Sequence, residues 1–269
     1  MKIIISHDID HITVKEHKND LLIPKFIIRA KIELFTGKIS FKEFQLRMRN
    51  LLKNKWNNIL ELIDYNEIND IPATFFIGVK NGIGLNYSID LAEEWTKKIL
   101  NAGVDCGVHG INYSNITEVK KEYEIFEQIS GLSEFGIRMH YLRNDEKTLL
   151  NLAKAGYLFD STDYGIKKHY KVKQMYEFPL HIMDGYELEA EKKWQTKNCK
   201  QAVNSTIEKI KTAEKQGVEY LCILFHDRYF DNSFASWKKW YQEINSYCKA
   251  QDYKYINYKE VVKKLEDVI

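Results

Sequence analysis

The N-terminal stretch SHDIDH (6–11) places His7, Asp8, Asp10 and His11 directly after the β-branched run Ile3-Ile4-Ile5. Carboxylates and imidazoles together are ligands for Zn2+, Fe2+, Co2+ or Mn2+, and three protein ligands leave one position for water. A cation held that way acidifies the water and polarises a carbonyl, while a neighbouring carboxylate takes the proton. In an extended segment residues i and i+2 share a face, so Asp8 and Asp10 can divide these duties.

The same residue types recur after other short apolar runs. His109 closes CGVHG (106–110), Arg138 and His140 lie in GIRMHY (136–141), Asp160 and Asp163 lie in or just after YLFDST (157–162), and LCILFH (221–226) ends in His226, followed by Asp227. A lone His after a strand is more often a hydrogen-bonded structural residue than a ligand. Repetition at several strand ends of the same sense shifts those odds toward a shared site.

The elements that must carry these residues follow from periodicity. The runs named above, with TFFIGV (74–79), EFPL (177–180) and YKYINY (253–258), alternate with stretches whose apolar residues recur at three-to-four spacing. The predicted helices are 41–68, 88–102, 115–130, 145–155, 200–216, 234–250 and 258–267. Seven or eight βα units suit a distorted (β/α)7-8 barrel in the α/β class, although spacing alone leaves a doubly wound sheet open. In such a barrel the C-terminal strand ends share one rim, where five of the eight His in the chain would meet. Asn81-Gly82-Ile83-Gly84 follows a strand without the pattern of a dinucleotide or phosphate loop, and reads as a turn. Irregular pieces at 11–40 and 163–199 could wall the site. Within the first, LLIPKFIIRAKIELF (21–35) reads as a helix packed on the barrel, with peripheral membrane association as the lesser alternative.

A chain of 269 residues with 44% hydrophobic content can bury one large core, so a single domain over 1–269 is expected. Forty Lys and Arg against 38 Asp and Glu, interspersed, carry no electrostatic footprint for nucleic acid. No run reaches the length of a membrane span, and the N-terminus lacks the features of a signal peptide. The expected location is the cytoplasm, with Cys106, Cys199, Cys222 and Cys248 as free thiols. No protein partner is indicated.

Six of these segments, in order, resemble the motifs of the polysaccharide deacetylase superfamily: SHDID, PATFFIGV (72–79), DCGVHGINYS (105–114), GIRMHYLR (136–143), AGYLFDSTDY (155–164) and LCILFHD (221–227). RMHYLR, EFPLHIMDG (177–185) and FHDRYF together are similar to a bacterial subgroup linked to capsule and O-antigen synthesis. The resemblance implies Asp8 as general base, Asp10 and His109 as metal ligands, Arg138 orienting Asp8, and His226 as the acid that protonates the leaving amine. It departs from the family where a second ligand His belongs, four residues after His109, because that residue is Tyr113. His140 is the candidate third ligand, since it follows Arg138 by two residues and can face the same rim; His11 and His7 are weaker candidates. Asp227 or Asp163 could fix the His226 tautomer. Tyr141, Arg143, Asp163, Asp184 and Asp227 are candidates for substrate contact, Asp184 being equally readable as a turn residue before Gly185. The implied activity is hydrolysis of an N-acyl group, such as acetyl, from an amino sugar in a nucleotide-linked or lipid-linked glycan precursor. The implied cofactor is a divalent metal, Zn2+ foremost. Two alternatives stand beside it: a carbohydrate-binding relative without catalysis, and a hydrolase of non-sugar amides or imides.

Overall fold

The structure is a computed structural model that describes residues 1–189 and 198–267. Its first strand, β1 (Lys2–Ile9), is entirely buried beyond its first residue. Alternation sends Ile3, Ile5 and Ile9 into one apolar cluster and Ile4 into another. β2 (Ala73–Ile77) and β9 (Tyr220–Leu224) flank β1 in parallel, with Asp8 opposite Phe76 and Ser6 opposite Leu224.

The sheet continues from β2 through β3 (Asp105–Gly110), β4 (Ile137–Met139), β5 (Phe159–Asp160) and β7 (Met175–Glu177) to β6 (Tyr170–Val172), and on the other side from β9 to β8 (Leu180–Met183). Every neighbouring pair is parallel except β6 with β7. A short strand, β10 (Lys254–Tyr255), pairs with the start of β1. The two edges meet at a narrow seam, where Tyr164 bridges Leu180, the Leu180 N–H donates to the Asp163 carbonyl (2.7 Å) and the Gly165 N–H donates to that of Leu180 (3.0 Å). This is the expected distorted (β/α) barrel, in one domain.

Two apolar layers result. Ile4, Phe76, Phe159, Phe178, Leu180, Cys222 and Leu224 fill the inside, closed at one end by Tyr258, Val261 and Val262 of α10 (Tyr258–Glu266). The larger layer lies between strands and helices; it joins Phe75 and Val108 to residues of α3 (Ile59–Ile68), α5 (Ile116–Ser130) and α9 (Ala235–Ala250). The other helices are α1 (Leu22–Phe35), α2 (Phe41–Leu52), α4 (Ile89–Asn101), α6 (Thr148–Ala155), α7 (Asp184–Leu188) and α8 (Cys199–Lys215). All four cysteines are free. Among the described residues no helix is long and apolar enough to cross a membrane.

Three departures from the expected elements have physical causes. The stretch 41–68 divides into α2 and α3 because Asn54 takes a left-handed φ of 55° and Asn58, at φ −138° and ψ 37°, starts a new helix from a non-helical conformation. EFPL splits into β7 and β8 around Pro179, which has no N–H for a ladder. β6 has no counterpart among the predicted strands; only three residues long, it forms by folding back on β7 through Lys173 at φ 56°. The irregular piece 11–40 contains α1, with Phe26 and Ala30 buried as a packed helix requires. Of the piece 163–199, residues 190–197 lie outside the described residues.

Asp160 and Glu177 face each other across β5 and β7, both fully buried. Burial pushes both carboxyls upward, and for Glu177 the facing Asp160 adds to it. The folded chain therefore keeps protons here that an unfolded chain releases near pH 4, so this stabilisation is full below about pH 4 and fades as pH rises through the raised values. The melting temperature of Glu177→Gln is expected to fall less steeply than wild type between about pH 5 and 8; parallel profiles would show that the pair holds no shared proton.

Candidate active site

The C-terminal ends of β1, β3, β4 and β9 bring the chemistry-bearing residues together. Asp8 is in β1 and Asp10 follows its end; His109 is the penultimate residue of β3, in register with Arg138 of β4. The strands approach closely at Gly107, where a Cβ would stand 2.6 Å from the Gly136 carbonyl oxygen. After β4 the chain turns through Tyr141 and Leu142, both left-handed (φ 57° and 51°), which leaves His140 buried and Tyr141 exposed. Such conformations cost about 1–3 kcal/mol each in non-glycine residues and gather at functional sites.

Asp10, His109 and His140 form a triangle of ligand atoms. His109 Nε2 lies 2.9 Å from His140 Nδ1, and Asp10 Oδ1 is 3.2 Å from each nitrogen. The far nitrogen of each ring meets a backbone carbonyl: His109 Nδ1 that of Arg138 (3.1 Å) and His140 Nε2 that of Ile83 (3.1 Å). Donation there fixes the tautomers so that two ring lone pairs face each other at the centre. That arrangement repels unless a proton or a cation intervenes. Bonds of about 2.0–2.1 Å at tetrahedral angles separate ligand atoms by about 3.3 Å, so the triangle suits a Zn2+-type ion, and the carbonyl-anchored imidazoles are the supports such ligands commonly have. Burial alone would push the Asp10 carboxyl up, but hydrogen bonds with His109 and His140 hold it well below the usual range. Burial likewise works against a charged His140, yet Asp10 raises it.

Asp8 stands beside the triangle, its Oδ2 3.8 Å from His109 Nδ1. Its Oδ1 accepts from Arg138 Nη1 at 3.0 Å. The Arg138 guanidinium is fully buried over the Phe76 ring and also donates to Ser6 Oγ (2.8 Å), the Ser161 carbonyl (3.0 Å), Ser161 Oγ (2.9 Å) and Tyr258 OH (2.9 Å). All its N–H donors are thereby used.

On the opposite side His226 presents Nε2 to Asp10 Oδ2 at 3.6 Å. Its Nδ1 meets Asp184 Oδ1 at 2.8 Å, and its backbone N–H donates to Asp184 Oδ2 at 2.8 Å. Burial alone would lower this imidazole, but the Asp184 charge, with Asp10 and Asp8 behind it, raises its pKa to about 10. His226 is therefore an imidazolium at neutral pH with its Nε2–H turned to the centre. Asp8, Asp10, His11, His226, Asp227, Arg228 and Tyr229 line a cleft of about 60 Å³. It adjoins, through Arg228 and Tyr229, a groove of about 470 Å³ bordered by α1 and Tyr141.

The sequence matches no family model and no curated protein. Solved structures, however, resemble the chain over its whole length. A chain assigned as a polysaccharide deacetylase from Mycobacterium smegmatis aligns with a TM-score of 0.67 at 14% identity, over 99% of this chain and 90% of that one. The Puue allantoinase aligns at 0.64 and 12% identity, over 97% and 88%. A polysaccharide deacetylase assigned in Pseudomonas aeruginosa PAO1 aligns at 0.60 and 13% identity, over 80% and 76%. The fold is that of the polysaccharide deacetylases.

Within this deacetylase fold several residues stand elsewhere than the sequence suggested. Asp184 is fully buried behind His226, with Oδ1 on the ring Nδ1. It, and not Asp227 or Asp163, sets the His226 tautomer. Asp163 does not reach the cleft: both oxygens meet Lys167 Nζ at 2.8 Å, and Oδ2 accepts from Tyr170. Arg143 turns away as well, donating to the Ile111 carbonyl and lying 5.2 Å above the Tyr113 ring. Tyr113 is thus engaged with Arg143, and His140 occupies the triangle instead. Asp227 does line the cleft, one oxygen accepting the Asn58 N–H at 3.0 Å. His7 is structural, with Nδ1 on the Phe225 carbonyl (2.7 Å) and Nε2 on Asn66 (2.9 Å). Ser6, Ser161, Tyr258 and the Ile83 carbonyl were not singled out; nothing in their local sequence marks them.

Removing one member of a buried ion pair strands the other, at about 3–5 kcal/mol. Arg138→Met is therefore expected to lower the urea-unfolding free energy by about that much, and Asp8→Asn in the same chain to recover part of it. A loss below about 1 kcal/mol would mean that the Arg138–Asp8 contact contributes no more than an exposed ion pair.

Proposed function

We propose that this chain is a metal-dependent hydrolase that removes an N-acyl group, acetyl foremost, from an amino sugar in a phosphate-bearing precursor of a surface glycan. The observation that carries the reading is the triangle of Asp10, His109 and His140, with two inward lone pairs, set between a buried carboxylate and an imidazolium. A divalent cation held by these three residues would supply Lewis acidity toward the acyl oxygen and acidify water.

The remaining roles belong to the chain. Asp8, held in place by Arg138, takes a proton from the water that attacks the acyl carbon. His226 Nε2–H delivers a proton to nitrogen as the C–N bond breaks, so that a carboxylic acid and a free amine leave. Asp184, accepting from Nδ1–H, orients the His226 ring so that Nε2 faces the reacting nitrogen. The cleft of about 60 Å³ accommodates little more than water and an acyl end, so the sugar lies above it, beside Tyr141 and Tyr229 in the groove.

Arg228 supports an anionic substrate. Its guanidinium lies 4.0 Å from the centroid of the Trp56 ring and 4.7 Å from that of Phe26, and it meets no carboxylate at ion-pair distance among the described residues. Burial lowers it to about 10, still charged at neutral pH. An uncompensated guanidinium bordering both cleft and groove fits the phosphate of a nucleotide-linked or lipid-linked sugar.

Acid release from a panel of N-acetylated sugars, their phosphates and nucleotide conjugates, run beside cyclic imides, tests the assignment. Phosphorylated N-acetyl sugars are expected to be cleaved; turnover of imides alone would overturn the sugar assignment. Asp8→Asn and His226→Gln should each lower kcat by about 10²–10⁴-fold, and chelation should abolish turnover until Zn2+ is restored. Arg228→Gln should raise KM for phosphorylated sugars and leave that for uncharged ones alone; equal effects on both would remove its assigned role.

A further inference from the structure

A second set of ligand atoms converges on the far side of His11. His11, Glu16 and His17 each offer one atom, all within 4.8 Å of one another. A 3-10 turn over Val14–His17 folds Glu16 and His17 back toward the residue that follows Asp10. The Glu16 carboxylate is fixed by the N–H groups of Ile12 (2.9 Å) and Thr13 (3.1 Å). The His11 and His17 rings stand 4.6 Å apart and nearly perpendicular.

The hydrogen bonding of this cluster is incomplete in an informative way. His17 Nδ1 lies 2.8 Å from Asp20 Oδ2, and Asp20 is itself held by the Leu22 N–H (2.8 Å) and Asn86 Nδ2 (2.7 Å). Donation to Asp20 keeps a proton on Nδ1; in the neutral ring Nε2 then carries a lone pair, 3.2 Å from Glu16 Oε1. His17 Nε2 and His11 Nδ1 are both buried without a hydrogen-bond partner. Unsatisfied buried polar atoms cost about 1–3 kcal/mol each. A carboxylate behind one imidazole nitrogen, with the other aimed at a second imidazole and a carboxylate oxygen, is the arrangement that orients metal-binding histidines. Glu16 and Asp20 place two carboxylates against the His17 ring.

We propose that His11 Nδ1, a Glu16 oxygen and His17 Nε2 form a second transition-metal site, for Zn2+ or a similar ion, which clamps the loop leaving β1 and takes no part in hydrolysis. Adjacent residues, Asp10 and His11, then serve two separate centres. The rival arrangement is a protonated His17 bridging Glu16 and Asp20, which needs no ion and leaves His11 Nδ1 alone.

The two are separated by Zn2+ binding to the full chain with the first centre disabled, His109→Gln with His140→Gln, after chelation and dialysis. That protein is expected to take up one equivalent of Zn2+ by calorimetry and by metal analysis, and to melt at a higher temperature with Zn2+ than without. Adding His17→Gln or His11→Gln should remove that equivalent while circular dichroism stays native. No uptake and no thermal shift in the doubly substituted protein would overturn the proposal. So would an equivalent that survives both His17→Gln and His11→Gln, and the thermal shift decides the matter if those variants fail to fold. None of these readouts uses turnover, so they stand apart from the assignment of the reaction.

Discussion

The buried guanidinium of Arg138 is the constraint on which the rest of the barrel depends. It lies inside the strand ring, where an unpaired charge would be prohibitive, and its donors reach Asp8 and Ser6 of β1, Ser161 after β5 and Tyr258 at the start of α10. These partners come from widely separated parts of the chain, so the strands have to close to satisfy one side chain. The same bond fixes the Asp8 carboxylate at the end of β1. Fold closure and the proposed general base therefore rest on a single buried pair.

The triangle of Asp10, His109 and His140 is built on different physics. His109 and His140 are fixed by backbone carbonyls, which move only if the strands or the Ile83 turn move, and Asp10 is drawn down to them from the end of β1. Substitution of Tyr for the expected second His at position 113 does not empty the site. His140 reaches it from the neighbouring strand end because the left-handed turn at Tyr141 and Leu142 lets the chain fold back immediately. Tyr113 meanwhile packs under Arg143, a pairing with no role in holding an ion.

Much of this was legible in the sequence because strand ends carry their own signal. The period of two in β1 places Ser6 and Asp8 on one face, and apolar runs ending in Asp or His mark the rim at His109, His140 and His226. The part that was not legible depends on side chains meeting across long separations. Asp184 reads as a turn residue before Gly185, and nothing local reveals that its two oxygens capture His226. The break between α2 and α3 hinges on Asn54 and Asn58, while Lys53–Asn58 lacks the Pro or Gly that normally announces a stop. Glu16 and His17 lie between β1 and α1 in a stretch without periodicity, where His11 is the one candidate ligand the sequence marks.

The seam at Tyr164 and Leu180 determines how this barrel can loosen without losing its chemistry. Strand pairing there is reduced to a single bridge, whereas β8, β9, β1, β2, β3 and β4 are paired in succession, with one register shift between β8 and β9. That run of strands, with the turns at its ends, carries Asp184, His226, Asp8, Asp10, His109, Arg138 and His140. Parting along the seam would widen the interior like a hinged cuff, while the reactive groups stayed in register with one another along the continuous arc.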